Sequence, residues 1–105
     1  MSEKPVFIPL KTEWYNAFEA GTKQHELRKY GPRWNTEACR VGREVVISCG
    51  YGKHRRMRGV INEFTRCNAS ELREDYRQAV MDTYGTLDLD MAVIGITDLV
   101  PVEKE

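Results

Sequence analysis

The chain has few cysteines, few prolines and no long apolar run, and each scarcity excludes something. Cys39, Cys49 and Cys67 are odd in number and none forms a Cys-x-x-Cys pair, which argues against a disulfide framework and a thiol-rich zinc site. No apolar stretch approaches the roughly 18 residues of a membrane span, and the first residues lack the basic region and apolar core of a secretory leader. The expected location is the cytoplasm, away from membranes. Tracts rich in serine, glycine or glutamine are missing as well, so a disordered chain is not expected. The only histidines, His25 and His54, have no partners at ligand spacing, so neither a metal nor a cofactor is expected. What is there, 105 residues with 41% hydrophobic and 30% charged side chains, suits a single domain over residues 1–105 and is too short for two.

Net charge is also missing, yet its zero value hides a division. Up to Arg66 there are 13 Lys and Arg against 7 Asp and Glu, and from Cys67 onward 3 against 9, so the two parts carry +6 and −6. The basic part would attract an anion such as nucleic acid unless folding brings the acidic part against it.

The chain divides cleanly into elements. Pro5 to Leu10 is a short apolar run fenced by prolines, which suits an edge strand. Thr12 can cap a three-turn helix with an apolar side of Trp14, Ala17 and Phe18, closed by Gly21. Thr22 to Tyr30 alternates like a two-faced strand, and residues 31–38 read as an exposed loop. Val45 to Cys49 and Met57 to Phe64 form a hairpin around the glycine-rich basic tip at residues 50–56. Asn68 and Ser70 can cap a second helix with the stripe Leu72, Tyr76, Ala79, Val80 and Tyr84, ending at Gly85. Met91 to Ile96, extended to Val102, is apolar enough for a central strand. The class is α+β, with five to six strands in a small curled or closed barrel and two helices against its openings.

Gly21-x-Lys23-x-x-Glu26-x-Arg28, set after a strand and a short helix and followed by Val41-Gly42-Arg43-Glu44-Val45, resembles the ASCH domain of the PUA-like superfamily. The resemblance runs from Val6 to Val102. It implies a PUA-like β-barrel, a cleft into which Lys23, Glu26 and Arg28 project, and a partner that is RNA or a nucleotide. One small bacterial branch of that family hydrolyses N4-acetylcytidine with the motif lysine, a threonine and a glutamate from the second helix. Here the threonine position matches Glu26, and Glu71 and Glu74 are the acids nearest the third position.

The residues support such a site on their own terms. Glu26 and Arg28 are two apart on a strand and share a face, and Lys23 leads into it. A desolvated lysine can act as a base or nucleophile, and Arg28 offers a planar fork to phosphate or a base edge. The same three residues would also suit a solvated ion-pair network. Tyr51, Lys53, Arg55, Arg56 and Arg58 at the hairpin tip could clamp a nucleic-acid backbone, or merely blunt a sheet edge. Trp34 could stack on a base or cover the barrel mouth. Three functions are therefore compared: a module binding RNA or a nucleotide, a nucleoside or RNA hydrolase using Lys23 and Glu26, and an adaptor whose polarised surface docks a charged protein.

Overall fold

The structure is a computed structural model and describes residues 4–102. Its first strand, β1 (Val6–Leu10), contains Pro9, which cannot donate to a ladder. The Leu10 carbonyl turns inward to the Gly50 amide at 2.9 Å, so Pro9, one residue back, turns its backbone to the side where no strand follows. β1 is an edge, as expected of a strand containing Pro9.

Helix α1 (Thr12–Ala20) follows at once and ends at Gly21, whose φ of 80° favours glycine. Lys11 rather than Thr12 is the N-cap and makes no side-chain cap bond. Tyr15 and Phe18 form the buried side, while Trp14 is 39% exposed, so the inward face is turned from the expected Trp14 stripe. After Gly21 the amides of Thr22 and Lys23 both bond the Ala17 carbonyl, at 3.0 and 3.1 Å, which folds the chain back and fixes where Lys23 starts.

Four further strands, β2 (His25–Lys29), β3 (Glu44–Cys49), β4 (Arg56–Asn68) and β5 (Asp90–Pro101), join β1 in one sheet ordered β1-β3-β4-β5-β2. Only β1 and β3 run parallel; the other neighbours are antiparallel. The sheet curls into a half-barrel whose edges are β1 and β2. The count of five strands and two helices agrees with the α+β expectation, and the seam between the two edge strands stays unladdered.

β4 is longer than its apolar pattern suggested, running on through Asn68 because it pairs with β5 along nearly its whole length, while β5 matches the expected run to within a residue at each end. Their ladder shifts register between Arg58 and Val60 and between Ile61 and Glu63, and Asp98 takes a left-handed φ of 58° at the first irregularity. Helix α2 (Glu74–Tyr84) starts later than Asn68 implied. Asn68 and Glu71 do form a capping box, but it caps a single 3₁₀ turn at Ala69–Glu71, and α2 begins after Leu72 and Arg73.

β5 explains the two-sided core. Ala92, Ile94 and Ile96 face the α1 side with Ile8, Ile47 and Ile61. Met91 and Val93 face the other side with Leu72 and Val80. A strand covered on both faces reads as one apolar run. The loop at residues 31–38 is exposed at Pro32, Arg33, Thr36 and Glu37, but Trp34 and Ala38 pack against the α1-side core, and Cys39 just beyond it is fully buried. Among the described residues no helix is long and apolar enough to cross a membrane.

Candidate functional site

The seam between the edge strands opens into a cleft of about 270 Å³. Pro9 and Leu10 of β1 form one lip and Glu26, Leu27 and Arg28 of β2 the other. Trp14 of α1 and Ala79, Val80, Thr83 and Tyr84 of α2 wall it, with Lys11 and Lys23 beside them. Because β2 is an edge strand, the cleft wraps around it and meets both helices.

Glu26 and Arg28 lie opposite Ile94 and Ala92 of β5, on the α1 side of the sheet. Glu26 is only 7% exposed. Its Oε2 accepts from Arg28 Nε at 2.7 Å, and Arg28 Nη2 donates to the Pro9 carbonyl at 2.8 Å. Arg28 thus bridges the seam where a backbone ladder would otherwise run, and its guanidinium carbon lies 4.8 Å from the centre of the Trp34 ring. Burial pushes the Glu26 carboxyl above the usual carboxylate range, while the charges of Arg28 and Lys23 pull it back.

Lys23 is held differently. Its Nζ lies 5.1, 5.6 and 5.8 Å from the ring centres of Trp14, Phe18 and Tyr76. Burial lowers its pKa, with Glu26 and Asp75 opposing that shift, and the three ring faces also favour the ammonium. Tyr76 is fixed from behind: its hydroxyl meets His25 Nδ1 at 3.1 Å, and His25 Nε2 meets Glu63 Oε1 at 2.8 Å.

The remaining sequence candidates sit elsewhere. Arg55 donates to Asn16 Oδ1 at 2.6 Å and stacks on Tyr15, tying the hairpin to α1. Arg56 bonds Ser48, Gly52 and Tyr51 and so closes its own turn. Arg58 pairs with Glu44 at 3.5 Å. Tyr51 is 80% exposed beside Phe7, and Lys53 is exposed. None of these five lines the cleft, nor does Trp34, which packs beneath Arg28. Glu71 accepts from the Asn68 amide, Glu74 opens α2, and neither reaches the cleft. His25 takes up a supporting place, and among the described residues no cluster could hold a metal.

Sequence reasoning missed Trp14, Thr83 and Tyr84 as cleft residues, and Phe18 and Tyr76 as partners of Lys23. Helical spacing marked most of them as core stripe, and only the placement of both helices at one sheet edge distinguishes core from cleft.

No family model matches the chain, and no curated protein matches it. Among solved structures, a mutant of ZmASCH from Zymomonas mobilis superposes with a TM-score of 0.68 at 17% identity, over 92% of this chain and 70% of that one. At that identity the likeness speaks for the fold: this half-barrel with its two helices is an ASCH-like, PUA-like fold.

Proposed function

We propose that the protein is an ASCH-like module that binds RNA or a nucleotide in the seam cleft. The observation that carries this reading is that Lys23, Glu26 and Arg28 line one cleft together with exposed aromatic surface from Trp14 and Tyr84. Aromatic faces suit a base, cations suit phosphate, and a carboxylate suits the donors of a base edge. A volume just below the usual range of about 300–1,000 Å³ for small-ligand sites suits one nucleotide unit.

Calorimetric titration of nucleoside monophosphates and short single-stranded RNA tests it. Binding is expected for the wild type and a loss of about tenfold or more for Arg28→Ala, since removing a charge-assisted donor costs about 1.5–3 kcal/mol. No binding of any nucleotide or RNA overturns it.

A second reading is hydrolysis of an acylated nucleoside. The supporting observation is that a hydroxyl, Thr83, and a carboxylate, Glu26, line the same cleft as the desolvated Lys23. These are the residue types that the ASCH resemblance attaches to amide hydrolysis, with the threonine on the helix and the acid on the strand. If it holds, N4-acetylcytidine yields cytidine with the wild type and not with Lys23→Arg, because arginine does not give up a proton. Absence of cytidine release from the wild type overturns this second reading alone.

A further inference from the structure

The proposed base-binding cleft contains a carboxylate that is fixed rather than free, and this bears on which base it accepts. Arg28 Nε takes Glu26 Oε2 at 2.7 Å, and no described residue donates a side-chain hydrogen bond to Oε1. The carboxylate is therefore held in one orientation, with the Leu27 backbone N–H also favouring its charged form, and Oε1 takes no side-chain donor among the described residues. Lys23 Nζ faces rings on three sides and has no hydrogen-bond acceptor among the described residues. Arg28 uses Nε and Nη2 inside the protein, leaving Nη1 without a partner among the described residues. The cleft thus offers Glu26 Oε1 as an acceptor and Lys23 Nζ and Arg28 Nη1 as donors along one lining.

An ionised carboxylate only accepts. It gains from a ring N–H and is repelled by the lone pair of a ring nitrogen. On the pairing edge, uracil carries a ring N–H between two carbonyl oxygens and guanine one between a carbonyl oxygen and an amino group, whereas cytosine and adenine carry a bare ring nitrogen. Lys23 and Arg28, which line the same cleft, suit the carbonyl oxygens, two on uracil and one on guanine. Desolvation at a nearly buried Glu26 sharpens the choice, because a wrong base sets a ring lone pair against Oε1 where water is scarce.

We propose that Glu26 is a specificity residue that selects keto nucleobases, uracil or guanine, through their ring N–H. This rests on the reading of the cleft as a nucleotide site and adds the ligand class. It also sets this chain apart from the cytidine-directed chemistry that the ASCH resemblance implies.

The test is calorimetric titration of the full chain at pH 8 with the 5′-monophosphates of uridine, guanosine, cytidine and adenosine, together with N3-methyluridine 5′-monophosphate. At least one of the two keto nucleotides is expected to bind about tenfold or more tightly than the cytidine and adenosine compounds, as one well-placed base contact provides. N3-methylation, which removes the N–H from the ligand and leaves the protein untouched, is expected to abolish any preference for uridine. Glu26→Gln, whose amide can donate or accept, is expected to bring the four nucleotides to within about threefold of one another. Equal binding of all four by the wild type, or a preference for cytidine or adenosine, overturns the specificity proposal while leaving a nucleotide site standing. Binding of none overturns the site itself.

Discussion

Lys23 and Glu26 are both pulled from water into one cleft, and burial shifts them in opposite directions. The lysine pKa falls and the carboxyl pKa rises. The consequences for stability have opposite signs too. For Lys23 the unfolded chain binds the extra proton, so stability rises with pH through a window ending at the ordinary lysine value of 10.5. For Glu26 the folded chain binds the extra proton, so stability falls as pH rises from the ordinary value of 4.5 through the raised folded value. Denaturant unfolding across pH checks this. Lys23→Met is expected to be more stable than wild type near neutrality, with the gap narrowing towards pH 10.5, and Glu26→Gln is expected to lose the acid-side slope. A Lys23→Met gap that does not change with pH would count against the assignment. Period-two alternation alone puts Glu26 and Arg28 on one face. Nothing local says that Lys23 is caged, because Trp14, Phe18 and Tyr76 come from two helices.

The β4–β5 ladder depends on two glycines whose missing side chains let the strands approach. A Cβ on Gly59 would meet the Thr97 carbonyl oxygen at 2.7 Å, and one on Gly95 would meet Asn62 Oδ1 at 2.6 Å and Glu63 Cβ at 2.9 Å. The Thr97 oxygen belongs to backbone at the irregularity around Asp98 and cannot move without disturbing the ladder. Gly59→Ala is therefore expected to destabilise by about 1–3 kcal/mol, the usual cost of forcing atoms into a packed site, read as a lower melting temperature. An unchanged melting temperature would mean that the bulge relaxes freely. Strands and helices were largely legible in the chain: caps, glycines and apolar runs mark them. The length of β4 was not, since Thr65, Arg66 and Cys67 owe their strand state to pairing with Val93, Ala92 and Met91 rather than to their own pattern.

For the molecule as a whole, the division into +6 and −6 parts does not reduce to one basic face, because many of the basic residues serve the fold. Arg55 anchors the hairpin to α1 and Arg56 closes its turn, whereas Lys11, Lys23 and Arg28 line the cleft. The salt dependence of RNA binding distinguishes these groups. Lys11→Ala is expected to reduce the slope of log affinity against log salt by about one phosphate contact, and Arg55→Ala to leave it unchanged while lowering stability by about 1 kcal/mol. A slope set by Arg55 would move the interface to the hairpin tip. The sequence by itself determined the α+β class, the order of elements, the edge position of β1 and the shared face of Glu26 and Arg28, because period, proline chemistry and caps act over a few residues. Only the tertiary structure decided that the half-barrel stays open between β1 and β2, that Arg28 bridges this seam, and that Trp14, Thr83 and Tyr84 complete a cleft there. Those outcomes depend on contacts between segments many residues apart, whose strength lies in packing and desolvation that no local pattern encodes.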